Sequence, residues 1–191
     1  MANKLKILGI AGSLREGSYN RAALRAAQQL VPEGSEIEIY DIEGFDGFNQ
    51  DLESNPPAKV IEFKQKIREA DAILFVTPEY NYSMPGVLKN AIDWASRPYG
   101  DSAWNDKPAA IMGAATGAGG TMRAQYHLRQ SMVFLNMNPV NQPEVMITFA
   151  AKKFDDAGNL TDDATRDFIR KLLQSLADWT RRITPKSDKA A

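Results

Sequence analysis

The sequence contains no cysteine and only one histidine, His127. The first absence excludes a disulfide framework, a thiolate-held iron–sulfur cluster and a cysteine nucleophile. The second excludes a multi-histidine metal site, and no metal-ligating set is assigned. No stretch approaches the roughly 18 apolar residues of a membrane span. The N-terminus enters a strand pattern at Leu5 without the apolar region of a secretion signal. The expectation is therefore a cytoplasmic chain with no membrane insertion. A dominant charge is missing too: 23 basic against 24 acidic side chains leave a formal charge of −1. There is no basic stripe for nucleic acid and no acidic tail. What remains, 43% hydrophobic and 25% charged over 191 residues, suits one α/β domain with a substantial core. Without thiols or metal ligands, redox chemistry in this chain requires a bound organic cofactor.

Residues 5–10, 72–76 and 109–115 are nearly continuous apolar runs, the pattern of central parallel strands covered on both faces. Residues 36–40 alternate polar and apolar, as a half-exposed edge strand does. A fifth strand is expected near Val145–Thr148. Between them the apolar spacing becomes helical over 18–31, 57–69, 86–96 and 121–135. Near the C-terminus it places Phe168, Leu172, Leu176, Trp179 and Ile183 on one stripe. Alternating strands and helices imply an α/β three-layer sandwich, with a five-stranded parallel sheet and helices on both faces. An alternating second strand belongs at an edge, which favours the flavodoxin-like order 2-1-3-4-5. Residues 1–184 read as one domain, and 185–191 as a disordered tail.

Sheets of this kind bind ligands beyond the carboxyl ends of their strands, so the loops after strands one, three and four are the candidates. The first, Gly12-Ser13-Leu14-Arg15-Glu16-Gly17-Ser18-Tyr19-Asn20, opens a helix whose N–H groups and dipole favour an anion. Ser13, Arg15, Ser18 and Asn20 add partners suited to a phosphate monoester. The loop lacks both the Gly-Lys-Ser/Thr ending of a P-loop and the G-x-G-x-x-G pyrophosphate fingerprint. Asp41, which ends strand two where a dinucleotide fold keeps its ribose-binding acid, carries little weight without those glycines. A helix cap beside a surface arginine explains the loop equally well.

The second loop, Thr77 to Gly86, is stiffened by Pro78 and Pro85 and carries Tyr80, Asn81 and Tyr82. Flat apolar faces beside amide groups suit a planar heteroaromatic ring; tyrosines merely covering the sheet end are the plain alternative. The third, Thr116-Gly117-Ala118-Gly119-Gly120, lets backbone approach a ligand closely, or is simply a tight strand-to-helix turn.

Three segments together resemble a known family: Gly12 to Asn20, the block Pro78-Glu79-Tyr80-Asn81-Tyr82-Ser83 through Trp94, and Arg123 to Gln130. They are similar to the NADPH-dependent FMN reductases, in particular the bacterial quinone, chromate and azo-dye reductases. The resemblance implies a flavodoxin-like fold, bound FMN, and NADPH or NADH as electron donor. It implies two electrons moving as hydride through flavin N5 to quinones or other small acceptors such as chromate, azo compounds or ferric complexes. The cofactor carries that chemistry, so no catalytic side chain is assigned. By position, Ser13, Arg15, Ser18 and Asn20 match the family's FMN phosphate loop. Pro78, Glu79, Tyr80, Asn81 and Tyr82 match the segment lining the isoalloxazine ring, and Thr116 and Gly117 match the third flavin loop. Thr121 stands where family members commonly have a second consecutive glycine.

The family forms dimers or tetramers, and Arg123, Tyr126 and Glu144 correspond to polar residues at a tetramer interface; a solvated helix face and strand cap is the alternative. Arg97 is a candidate for binding the NAD(P)H phosphates or an anionic acceptor, or else a helix-terminal arginine complementing the dipole. Trp94 and Trp104 can border the open flavin face, with Trp94 equally placed to belong to the core. His127 reads as structural, and Lys89 and Asp93 as a solvated helix surface. Rival readings are an enzyme that releases reduced flavin as product, a flavodoxin-like carrier serving a protein partner, and a nucleotide-sensing module without turnover.

Overall fold

The apolar and alternating runs of the sequence are the strands of a parallel sheet: Leu5–Ala11 (β1), Ser35–Tyr40 (β2), Ala72–Val76 (β3) and Pro108–Ala114 (β4). The computed structural model of the chain describes residues 4–184; the polar segment Pro185 to Ala191, expected to be a disordered tail, lies outside the described residues. Helices Tyr19–Leu30 (α1), Ala58–Glu69 (α2), Gly86–Ala95 (α3), Met122–Phe134 (α4) and Asp163–Ile183 (α5) connect or follow the strands. The order of these four is β2-β1-β3-β4, all parallel, with the alternating β2 at an edge as expected.

The fifth position departs from the expectation. It holds two short pieces, Asn138–Pro139 (β5) and Val145–Ile147 (β6), both paired with β4. The first lies against Pro108 and Ala109, the second against Met112 to Ala114. The sheet therefore has six strands rather than five. Pro143, with no N–H to donate, sits in the interval where the chain leaves the ladder.

Side-chain alternation along the strands divides the core into two layers. Ile7, Leu74 and Met112 pack with Ala23 and Leu24 of α1 and Leu172 and Leu176 of α5. On the other face Leu8, Ile10, Phe75 and Ile111 pack with Phe63 and Ile67 of α2, Leu88 and Ile92 of α3, and Leu128 and Met132 of α4. Each Leu, Ile, Phe or Met side chain among these contributes about 1.5–3 kcal/mol by leaving water.

Two expectations about this core need correction. The buried stripe of α5 runs through Ile169, Leu172, Leu173, Leu176, Ala177 and Thr180, and Phe168 is half exposed. Phe168 and Ile169 are adjacent apolar residues, and period alone cannot choose between neighbouring phases. Trp94 and Trp104 are both core residues, 1% and 0% exposed. The indole of Trp104 donates to the carbonyl of Ile92 and its ring meets Phe63 and Phe75, so neither tryptophan borders an open face. Lys89 and Asp93 form the expected exposed pair, 2.7 Å apart.

The segment after α3 is held by a charge cluster. Lys64, 7% exposed at its side chain, and Arg68 both bind Asp101. The hydrogen bond from Lys64, then that from Arg68, hold the Asp101 carboxyl below the usual carboxylate range. A folded value below the unfolded one means that the contribution is complete above the unfolded value of about 3.9 and fades as pH falls through the lower folded value. The stability gap between the wild type and Asp101→Asn is therefore expected to stay constant from neutrality to about pH 5 and to close below about pH 4. Urea titrations at stepped pH measure it, and a gap that widens in acid contradicts the assignment.

Candidate active site at the carboxyl ends of β1, β3 and β4

The three expected loops leave the carboxyl ends of adjacent strands. Backbone bonds hold their roots together: Gly12 N–H donates to Val76 O, and Thr77 N–H to Met112 O, both at 2.9 Å.

In the first loop Ser18 is the N-cap of α1, its Oγ accepting from the amides of Asn20 and Arg21 at 3.2 and 3.4 Å. A serine hydroxyl that accepts still has its own proton to donate. Ser13 is 5% exposed, and its hydroxyl bonds no other described residue. Arg15 is exposed and has no carboxylate partner among the described residues; its guanidinium lies 6.0 Å from the Tyr19 ring. The loop thus presents hydroxyls and an uncompensated cation beside the N-terminus of α1. Asn20 behaves differently from its neighbours. Its amide nitrogen donates to Ala114 O and its amide oxygen accepts from Ala114 N–H, each at 2.9 Å. Asn20 is 3% exposed and pins α1 to the end of β4 rather than facing the loop's hollow.

The second loop contains a tight reversal. Tyr80 and Ser83 exchange two backbone hydrogen bonds of 3.0 Å, with Asn81 and Tyr82 between them at φ of 50° and 64°. Two successive left-handed residues make a type I′-like turn, which normally favours Asn-Gly. A tyrosine there costs of order 1 kcal/mol or more unless its surroundings hold it. Here α4 holds it: the Arg123 guanidinium lies 3.8 Å from the Tyr82 ring centroid, and His127 Nδ1 is 3.0 Å from Ser83 Oγ. Tyr80, Asn81 and Tyr82 are thereby left exposed to solvent, while Pro78 is buried beneath them.

Glu79 does not present its side chain outward. Its carboxylate, 7% exposed, accepts from the amides of Arg123 and Ala124 at 3.0 and 3.2 Å and from Arg123 Nε at 2.5 Å. Thr121, the residue preceding α4, makes no side-chain cap. Glu79 therefore caps α4 from 44 residues away and ties the second loop to the helix that follows the third. Arg123, an expected interface residue, is engaged within the chain on Glu79 and Tyr82.

The third loop keeps Thr116 and Gly117 exposed, and a Cβ at Gly117 would meet no atom within 4 Å. Gly120 is left-handed, with Met146 against it. Beneath both loops lies Gly113, which the sequence reading passed over. A Cβ there would lie 2.1 Å from Thr77 O and 2.1 Å from Thr121 Oγ1. The signal was present: a lone glycine within an apolar strand marks a close approach. Ser83, the anchor for His127, left no such mark in the sequence.

Arg97 is not brought to this group. It follows α3, which begins at the second loop and runs ten residues back along the sheet, about 15 Å. There its guanidinium lies 3.9 Å from the Tyr99 ring. Tyr126 and Glu144 do meet: a hydrogen bond to the Glu144 carboxylate holds the Tyr126 phenol above its ordinary range. Val133 and Phe134, at the end of the same helix, are 83% and 72% exposed. Among the described residues no cluster of three or more His, Asp or Glu is placed to hold a metal, and no helix is long and apolar enough to cross a membrane.

A hydroxyl-lined loop with a free arginine, beside a turn that exposes aromatic and amide groups, fits a phosphorylated planar ring such as FMN. The chain is 56% identical over 185 residues to an NAD(P)H-dependent FMN reductase of Pseudomonas aeruginosa, covering 96% of this chain and 99% of that protein. It is 44% identical over 177 residues to a 2-hydroxy-1,4-benzoquinone reductase of a Burkholderia species, covering 93% and 97%. Among solved structures, the flavoenzyme NAD(P)H:(acceptor) oxidoreductase of Paracoccus denitrificans superposes with a TM-score of 0.86 at 34% identity, over 93% of this chain and 97% of that one. The family model for NADPH-dependent FMN reductase matches residues 5–152, and the chain belongs to that family.

Proposed function

We propose that this chain is an FMN-dependent NAD(P)H oxidoreductase that reduces quinones. The carrying observation is the convergence of Ser13, Arg15 and Ser18 with the exposed Tyr80–Tyr82 turn at adjoining strand ends. Bound FMN would supply the two-electron hydride chemistry between NAD(P)H and the acceptor. In this reading Arg15 and the two serines hold the phosphate, and Asn20 keeps the loop seated on β4. Pro78, Tyr80, Asn81 and Tyr82 line the ring, and Glu79 orients that segment. Thr116 and Gly117 approach the ring with backbone. The acceptors are small molecules, with quinones favoured by the relatives' activities. No acid–base side chain is required at the reacting atoms.

We further read the chain as a cytoplasmic homodimer or homotetramer. Tyr126 and Glu144, with Val133 and Phe134 on the outer side of α4, support an interface between copies; Arg123 is already committed to Glu79 and reaches such an interface only through its remaining exposed donors.

The test is an absorbance spectrum after gel filtration, followed by anaerobic addition of NADH or NADPH and then a benzoquinone. Retained flavin that bleaches and recovers its colour supports the proposal; a colourless protein that takes up no FMN overturns it. Arg15→Ala is expected to weaken FMN binding about 10- to 100-fold, the loss of a charge-assisted hydrogen bond to phosphate. An unchanged dissociation constant in a flavin titration removes Arg15 from the phosphate site.

A further inference from the structure

A hollow of about 150 Å³ opens between α1 and the segment leading into α5, bordered by Ala22, Arg25, Gln29, Gly158, Leu160 and Arg166 among others. It shares no residue with the crevice at the strand ends. Two cations line it and no acid does. Both guanidiniums have a definite place. Arg25 lies over Gly158, a left-handed glycine at which a Cβ would be 3.1 Å from Arg25 Nη2. Arg166, half-buried, donates through Nη1 to the carbonyl of Leu160 at 3.0 Å. A guanidinium carries five N–H donors, so most of those on each arginine remain free. Neither arginine has a carboxylate partner among the described residues. Two acids of the adjoining segment are engaged elsewhere. Asp155 accepts from the amide and the side chain of Asn159 at 2.7 and 3.0 Å, and Asp162 from the amide of Thr165 at 2.9 Å. Ala22 and Leu160, 4% and 3% exposed, give the hollow an apolar floor. Two like charges above such a floor repel each other, and an anion between them turns that repulsion into attraction.

We propose that this hollow is a second anion site, which takes a phosphate dianion, free or as the head of a small monoester, between Arg25 and Arg166. Phosphate matches the site in three respects. Its two charges balance the two arginines, and its oxygens accept paired hydrogen bonds from guanidinium forks. Its size suits a hollow with room for several waters. Gln29 adds an amide at the border, and the floor of Ala22 and Leu160 can carry the apolar body of an ester. The site is independent of the flavin chemistry and stands or falls without it.

The test is calorimetry on the flavin-loaded protein with inorganic phosphate and with phenyl phosphate, at fixed ionic strength. Saturable binding is expected for the wild type. Arg25→Gln and Arg166→Gln should each weaken phosphate about tenfold or more, and the double variant should show no measurable binding. Thermal unfolding and quinone reductase turnover of these variants should match the wild type, since neither arginine belongs to the flavin crevice. Arg182→Gln removes the same charge at the far end of α5 and should leave phosphate affinity unchanged. Tighter binding of phenyl phosphate than of phosphate upholds the site and assigns it to an organic monoester; equal affinities uphold it and assign it to the free ion. No saturable binding of either probe, full affinity in both arginine variants, or an equal loss in Arg182→Gln overturns the proposal. The arginine variants locate the binding whether or not flavin is retained, so this site can fail while the oxidoreductase reading stands, and the reverse.

Discussion

Gly113→Ala is expected to lower the melting temperature by about 6–12 °C and to empty the flavin site. An alanine in a strand ordinarily gains about 0.5–1 kcal/mol over glycine. Here the added methyl would sit 2.1 Å from two atoms at once, the carbonyl oxygen of Thr77 and the hydroxyl of Thr121. The hydroxyl belongs to a side chain that can rotate, but the carbonyl belongs to the backbone that launches Pro78 and the ring-lining turn. Relief therefore requires β3 and its loop to move away from β4. Overpacking of a rigid core costs about 3 kcal/mol in such cases, and each kcal/mol is worth about 2–4 °C in a domain of this size. Thermal unfolding and a flavin titration measure the two effects. The double variant Gly113→Ala/Thr121→Gly should recover only part of the loss, because the Thr77 carbonyl stays in place. Full recovery would show that the hydroxyl, not the backbone, sets the packing.

The second large effect is expected at Glu79. Glu79→Ala removes the cap of α4, where a lost cap alone costs about 1–2 kcal/mol. It also removes charge-assisted bonds to a nearly dry carboxylate, for a total of about 2–4 kcal/mol. Glu79→Gln keeps one acceptor oxygen for the helix amides but gives up the charge, and should cost about half as much. Arg123→Ala should cost least. Its side chain is 40% exposed and contributes modestly, and the Arg123 and Ala124 amides remain to hold the carboxylate. Both Glu79 variants should loosen the turn and weaken FMN binding as well as stability. Urea midpoints for the three variants give the ranking; an Arg123→Ala loss equal to that of Glu79→Ala would assign the stability to the ion pair and not to the helix cap.

How far the sequence carried these conclusions depended on the range of the interaction. The continuous runs at Ile73 to Val76 and Ala109 to Met112 announced central strands because burial on both faces leaves no place for polar residues. The three loops were readable because a parallel sheet sends its ligand-facing segments out of the carboxyl ends. The phase of α5 was not, since Phe168 and Ile169 satisfy the same spacing and only the sheet beneath distinguishes them. Nor were the duties of Asn20 and Glu79. Both sit within motifs that suggest ligand contact, yet their side chains are taken by Ala114 and by the start of α4, 94 and 44 residues away. Arg97 shows the converse: it is near the second loop in sequence, but a helix of ten residues carries it along the sheet.

The broken fifth position has a consequence for the fate of the chain at high concentration. An unpaired strand margin is a template on which another molecule can extend the ladder, and its hazard grows with the length of regular backbone on offer. The β5 and β6 pieces offer two and three residues, separated by a proline-bearing detour. At the opposite margin β2 interrupts its apolar residues with Glu36 and Glu38. Neither flank gives an incoming chain a long, uncharged stretch to copy, so crowding should drive this protein toward contacts between helices sooner than toward fibrous stacking of sheets.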